Sequence, residues 1–383
     1  MSPAAVSTEV SEEQTALIIH WSDGACGEFA SIWLRDNLPE DRDSHSGQRL
    51  IDVTDLPQEP RIRSATLVGA DLLISWQGED RASIIKLDWL YQQCSAGTAA
   101  ETDFSPHPWL EGARLDAKRD FAWQPLDALA TEPSARREWL LRLVQQGMAF
   151  LHDVPTTDSG ILEAMTLAGR VAQTNYGLVF DVRAVPQPEN LAYSDVGLGL
   201  HTDNPYRDPV PGFQALHTLV AAPDGGDNLF ADGWALAAHL RDTDPDTFAV
   251  LAHTAVPFRY QSQQADLYAE RPLIALDCTG SIVAVHYNSR SIAPLRLPAA
   301  ECRAFYAAYR RFGELLRERA FQLTTRLAEG DLVLFDNQRI LHGRTGFASA
   351  RHPRHLRGCY LTRDSVYSEA ALLQRPIQTR VRV

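Results

Sequence analysis

A chain of 383 residues that is 45% hydrophobic is long enough for more than one core, and its size predicts two or three domains. Its formal charge of −13, from 49 acidic against 36 basic residues with no basic block, argues against nucleic acid or an anionic membrane as partner. No apolar run approaches the ~20 residues that span a bilayer, the start Met1-Ser2-Pro3-Ala4-Ala5 lacks a basic segment with an apolar core, and five scattered cysteines (26, 94, 278, 302, 359) without CxxC spacing predict reduced thiols in a cytoplasmic protein.

In chain order, residues 1–14 are polar and expected to be loose. From residue 16 to about 93, short β-type runs such as Ala16-Leu17-Ile18-Ile19-His20-Trp21 and Asp71-Leu72-Leu73-Ile74-Ser75-Trp76 alternate with Asp-Gly, Gly-Ala and Gly-Glu turn signals. With the amphipathic piece Leu87-Asp88-Trp89-Leu90-Tyr91 closing it, 1–100 reads as a small β-rich N-terminal domain. Residues 101–133, rich in Pro, Ala, Thr and Asp, read as a linker lying over the domain that follows, 134–383. That domain is predicted to open with a helix over 134–146, a strand over 148–151 and a helix over 160–172. A longer helix is predicted over 298–319, where Phe305, Tyr309, Phe312 and Leu316 form one apolar stripe. Glu329-Gly330-Asp331 reads as a turn into the buried strand Leu332-Val333-Leu334-Phe335-Asp336, after which a loop is expected to carry His342. Periodicity alone supports a mixed β-rich domain with flanking helices.

Within this frame one constellation carries chemistry. His201 and Asp203, in Leu-His-Thr-Asp-Asn-Pro-Tyr, stand at i and i+2, so on extended backbone both side chains project to one side. His342, in Ile-Leu-His-Gly-Arg, would complete two imidazoles and one carboxylate on one face of a metal, the ligand set of non-heme Fe(II) oxygenases, which leaves positions open for a co-substrate and O₂. Taken alone, His-x-Asp is better read as a surface loop with a solvated histidine beside an Asx-turn aspartate, and it is the second half of the pattern that shifts the reading to a metal site. Arg354, twelve residues beyond His342, could grip a dicarboxylate bidentately, the alternative being a surface arginine beside Arg351 and Arg357.

Ordered motifs extend the pattern along nearly the whole chain: Asn175-Tyr176-Gly177, Asn190-Leu191-Ala192-Tyr193, His201-Thr202-Asp203, Gly225-Gly226-Asp227-Asn228, Phe335-Asp336-Asn337, Leu341-His342-Gly343-Arg344 and Arg354-His355-Leu356 with Gly358-Cys359-Tyr360. With these, residues 137–374 resemble the 2-oxoglutarate-dependent oxygenases of the taurine dioxygenase superfamily, in the branch of γ-butyrobetaine and trimethyllysine hydroxylases. Trp33-Leu34-Arg35-Asp36-Asn37 resembles the small domain that precedes the oxygenase in that branch. The resemblance implies a β-rich α+β fold: a double-stranded β-helix, or jelly roll, with flanking helices and the iron between its sheets. It implies an enzyme that couples decarboxylation of 2-oxoglutarate, to succinate and CO₂, with hydroxylation of a small molecule by O₂. A homodimer is expected.

By motif position the resemblance implies roles for further residues. Arg354 would pair with the distal carboxylate of 2-oxoglutarate, and Asn228 would stand near its keto-acid end. Tyr176, Phe180, Tyr193 and Tyr360 would form an aromatic cage for a quaternary ammonium group. Phe180 replaces the tryptophan of some members, and the alternative for all four is ordinary core. Asn204, Tyr206, Asn288 and Arg290, with Arg35 of the N-terminal domain, offer more donors than a planar carboxylate needs and suit a phosphonate. The pattern resembles the phosphonate-hydroxylating members of the branch, so the expected substrate is 2-(trimethylammonio)ethylphosphonate, attacked at the carbon next to phosphorus. The alternative is γ-butyrobetaine, with Arg207 and Arg290 solvated and Asn204 merely orienting Asp203. The family's zinc-binding cysteines after Trp-Leu-Arg-Asp-Asn are replaced by Leu38, Pro39, Glu40, Asp41, Arg42 and Asp43, so no N-terminal zinc is expected. Two further readings stay open: a halogenase or desaturase, against which Asp203 stands because halogenases usually give up the carboxylate, and a catalytically silent binding protein.

Overall fold

The computed structural model describes residues 3–94, 104–183, 196–347 and 354–374. It divides into two compact units, residues 1–101 and 102–383. In the first, strands β1 (Ala5–Val10), β2 (Ala16–Trp21) and β3 (Cys26–Ala30) make one antiparallel sheet, and β4 (Ile62–Val68), β5 (Asp71–Trp76) and β6 (Ala82–Lys86) make a second. Alternation explains their faces: Leu17, Ile19 and Trp21 of β2 and Leu72, Ile74 and Trp76 of β5 are buried in one core, while the residues between them are less buried. The short helix α1 (Ser31–Asp36) adds Leu34 to that core, and α2 (Leu87–Cys94) adds Leu87 and Leu90. The expectation that 1–14 is loose is corrected by β1, whose residues pair with β2 from Ala5↔Trp21 to Val10↔Leu17. An edge strand buries little side-chain surface, and its polar composition hid it.

In the second unit, α3 (Ala117–Asp120), β7 (Trp123–Pro125) and α4 (Leu126–Thr131) lie in the stretch expected to be a linker. β7 runs parallel to β8 (Met148–His152), so this stretch is part of the larger sheet's edge. That sheet has seven strands in the order β10-β21-β12-β19-β8-β7, with β9 (Val171–Ala172) also pairing β21; here β10 is Phe180–Arg183, β12 is Phe213–Val220, β19 is Leu332–Asp336 and β21 is His355–Leu361. The smaller sheet runs β11-β20-β13-β18, formed by Leu198–His201, Ile340–Arg344, Asn228–Asp232 and Leu323–Thr325 respectively. Two hairpins, β14 (Val256–Gln261) with β15 (Asp266–Arg271) and β16 (Ile274–Leu276) with β17 (Ile282–Val285), complete the strands.

Period-2 alternation sorts the side chains of both sheets into layers. Phe213 and Ala215, Leu332 and Leu334, Ala149 and Leu151, and Cys359 and Leu361 face one core with helices α5 (Pro133–Gln146), α6 (Gly160–Met165) and α10 (Arg363–Gln374). Their neighbours Leu216, Val333, Phe335, Met148, Phe150 and Leu356 point the other way and meet Phe230 and Ile340 of the smaller sheet. On that sheet's far face Ala231 and Leu341 pack under α7 (Gly233–Thr243), α8 (Pro245–His253) and α9 (Ala299–Arg317), where Phe305, Phe312 and Leu316 of the predicted stripe are buried and Tyr309 is partly so. The result is the expected jelly-roll sandwich with flanking helices. The helix predicted over 160–172 is shorter, ending at Met165 before β9. Among the described residues no helix is long and apolar enough to cross a membrane.

Candidate metal centre and substrate cavity

β11 and β20 are antiparallel, and their register sets His201 directly opposite His342. His342 therefore sits on a strand, correcting the expected loop, and its ring lies against Phe335 of the larger sheet at a centroid distance of 4.9 Å. An irregularity in β11 between Leu198 and His201, of the kind that re-aims a side chain, precedes the histidine. Gly343 is required beside it, because a Cβ there would lie 2.5 Å from the Leu198 carbonyl oxygen. Just past β19, Asn337 clamps the backbone of Asp203: the Asp203 N–H donates to its Oδ1 at 2.7 Å, and its Nδ2 donates to the Asp203 carbonyl at 3.0 Å.

The His201, Asp203 and His342 ligand atoms lie within 4.8 Å of one another. His201 Nδ1 is 2.9 Å from the Gly199 carbonyl, which fixes the proton there and leaves the Nε2 lone pair for an ion. Burial pushes the His342 imidazole down to about 3, so it is neutral at ordinary pH. Burial opposes ionisation of Asp203, yet its close polar contacts with His342 and His201 and the hydroxyl donated by Tyr360 outweigh it and hold the carboxyl well below its usual range. Two imidazoles and one carboxylate converging from one side fit Fe(II), with further positions left to co-substrates. The His342 Nδ1 is buried without a hydrogen-bond partner among the described residues.

These atoms open on a cavity of about 460 Å³ between the sheets. Of the residues expected in the site, it is lined by Tyr176, Phe180, His201, Asp203, Asn204, Tyr206, Asn228, Asn288, Arg290, His342, Arg354 and Tyr360. Tyr193 lies outside the described residues. Arg35 belongs to the first unit, where it pairs with Asp41 and, through Nε at 3.1 Å, with Glu79.

At one end Arg354 is buried and donates from Nη2 to Asn228 Oδ1 at 3.0 Å. Burial and the neighbouring Arg344 push its guanidinium down to about 10, the mark of a cation short of counter-charge. Close approach of Arg354 requires Gly226, where a Cβ would stand 2.9 Å from its Cδ. Arg344 also lines the cavity, two residues beyond His342 on the same strand face. The motif Leu341-His342-Gly343-Arg344 contained it without giving it a role, because a loop has no such periodicity, whereas β20 does.

Aromatic rings cluster elsewhere in the cavity. Phe180 and Tyr360 are 5.1 Å apart, Tyr176 and Phe180 6.2 Å, and Tyr206 stacks on Tyr260 at 5.3 Å. Tyr260, on the β14–β15 hairpin, also meets Tyr176 edge-on at 6.0 Å; no motif pointed to it. Tyr206, expected as an anion donor, is thus also a wall of this cluster. Ring faces without a carboxylate partner are how quaternary ammonium groups are held.

The expected anion donors are partly committed. Asn288 Nδ2 donates to the Thr202 carbonyl at 2.9 Å and its Oδ1 accepts the Arg290 N–H at 3.2 Å. Asn204 Nδ2 donates to Tyr360 Oη at 3.1 Å, and its Oδ1 accepts from Tyr206 Oη at 2.5 Å. Arg207 bonds Asn175 and sits over Tyr176 at 5.8 Å. Arg290 is the exception: its guanidinium lines the cavity with no hydrogen-bond partner among the described residues.

Comparison with known proteins agrees with this geometry. A model described as "Taurine catabolism dioxygenase TauD, TfdA family" matches residues 116–360, and one described as "Gamma-butyrobetaine hydroxylase-like, N-terminal" matches 8–91. A gamma-butyrobetaine dioxygenase from Pseudomonas sp. (strain AK-1) is 33% identical, covering 93% of each chain. The gamma-butyrobetaine dioxygenase of Homo sapiens is 27% identical over 94% of this chain and 95% of its own, and a trimethyllysine dioxygenase of Meyerozyma guilliermondii is 24% identical over 95% of both.

Proposed function

The chain belongs to the taurine catabolism dioxygenase TauD, TfdA family, and we propose that it hydroxylates 2-(trimethylammonio)ethylphosphonate at the carbon next to phosphorus. It is a 2-oxoglutarate-dependent dioxygenase, and its relatives carry the names of enzymes acting on γ-butyrobetaine and trimethyllysine. Fe(II) at His201, Asp203 and His342 supplies the O₂ activation that couples decarboxylation of 2-oxoglutarate to hydroxylation of a C–H bond. Arg354, with Asn228 beside it, holds the distal carboxylate of 2-oxoglutarate. Tyr176, Phe180, Tyr206, Tyr260 and Tyr360 surround the trimethylammonium group and exclude water from it, which aims one C–H at the metal centre.

The phosphonate reading rests on Arg290. With the amides of Asn204 and Asn288 already bonded, its guanidinium is, of the expected anion donors that line the cavity among the described residues, the one left to meet an anion, and a fork of N–H groups matches the oxygens of a phosphonate. The names of the relatives favour a second reading, γ-butyrobetaine hydroxylation to carnitine.

Succinate release over a panel of trimethylammonium phosphonates, carboxylates and sulfonates separates the two. The phosphonate should be consumed fastest, and Arg290→Ala should erode its lead over the carboxylate. Faster turnover of γ-butyrobetaine than of the phosphonate by the wild-type enzyme would leave the second reading standing.

A further inference from the structure

We propose that Tyr360 is a positioning residue for the metal-binding carboxylate: its hydroxyl pins one oxygen of Asp203, and a directed hydrogen-bond chain through Asn204, Tyr206 and Tyr176 ties that orientation to the aromatic cluster. Tyr360 Oη donates to Asp203 Oδ2 at 2.8 Å. The same oxygen accepts from Asn204 Nδ2, so its own proton is directed onto the carboxylate. The Asn204 Oδ1 in turn accepts the Tyr206 hydroxyl proton. Tyr206 and Tyr176 hydroxyls are 3.3 Å apart, and since the Tyr206 proton is already committed, Tyr176 is the donor between them. Every proton runs one way, from the ring cluster to Asp203. Asn204 adopts the left-handed backbone conformation, φ 54°, an uncommon one that places its amide in the middle of the chain.

The two carboxylate oxygens are therefore unequal. Oδ1 lies 3.2 Å from His201 Nε2, close to the separation of neighbouring ligands on an ion with bonds of about 2.1 Å. Oδ2 is 3.9 Å from His342 Nε2 and is the one Tyr360 holds. A carboxylate that binds through both oxygens takes two positions of a six-coordinate ion; held to one, it leaves three for co-substrates. The residues that surround the substrate's cation thus also decide how Asp203 presents itself. The inference rests on the metal triad and is independent of whether the substrate is a phosphonate or a carboxylate.

The test is Mn(II) affinity, read from the EPR signal of free Mn(II) titrated into the metal-free full chain, for wild type, Tyr360→Phe and Tyr206→Phe. Tyr360→Phe keeps the ring against Phe180 and removes only the hydroxyl, so Mn(II) binding should weaken about 10-fold or more, as for partners of other metal ligands. Tyr206→Phe acts one bond farther away and should weaken binding by a smaller factor, with thermal melts of the metal-free proteins matching wild type. Wild-type Mn(II) affinity in Tyr360→Phe overturns the proposal. So does a wild type that binds no Mn(II), which would also remove the triad reading; an intact wild-type titration with unchanged variants removes the positioning role alone. If Tyr360→Phe does not fold, Tyr206→Phe decides, and an unchanged affinity there overturns the chain.

Discussion

His201 and His342 face each other across one antiparallel ladder, their ring centroids 4.3 Å apart, although about half of the oxygenase unit lies between them in sequence. The pairing makes the metal site a property of a strand register. A one-residue slip of β20 would turn His342 to the face where Leu341 packs under the helices.

Each of the three ligands supplies one atom, so His201→Ala, Asp203→Ala and His342→Ala should each abolish succinate release while leaving the circular dichroism spectrum of the wild type. Turnover by any of them at ordinary Fe(II) concentrations would show that the ion sits elsewhere.

Arg354→Met removes a buried cation whose counter-charge is the proposed 2-oxoglutarate. The loss of such a partner costs about 2–5 kcal/mol, so the KM for 2-oxoglutarate should rise by at least about 30-fold, with far less change in that for the prime substrate. Equal changes in both would point to general damage of the cavity.

Tyr260→Ala tests a ring that no motif announced. Removing one wall from a cation site is worth about 1 kcal/mol, so the KM for the trimethylammonium substrate should rise about fivefold while that for 2-oxoglutarate stays put. An unchanged substrate KM would take Tyr260 out of the cluster's function.

Stability is predicted to hinge on Arg339. It is fully buried, pairs with Asp232 at 2.7 Å and donates to the Gln145 and His107 carbonyls at 2.8 and 3.1 Å. Asp232 also caps α7 by accepting the Trp234 and Ala235 N–H groups. Arg339→Met would strand that carboxylate in the core and should destabilise the unit by about 3–5 kcal/mol, read as a lower urea midpoint. A midpoint within error of wild type would mean the pair is dispensable.

Much of this was legible in the chain. The alternation of Leu17, Ile19 and Trp21, or of Leu332, Val333 and Leu334 through a wholly buried strand, follows from local chemistry, because side-chain period and apolar burial need only neighbours in sequence. His201, Asp203, His342 and Arg354 stood out because metal and carboxylate chemistry accepts few residue types. What the tertiary structure alone decided is how the other polar groups spend their hydrogen bonds. Asn204 and Asn288, donors on paper, are bonded to Tyr360 and Thr202; Asn337, part of a motif but given no role by the sequence, clamps Asp203; and Arg344 joined the cavity only once His342 proved to lie on a strand. Residue type sets how many bonds a side chain can make, whereas which partner lies within reach depends on pairings between segments that sequence spacing does not encode.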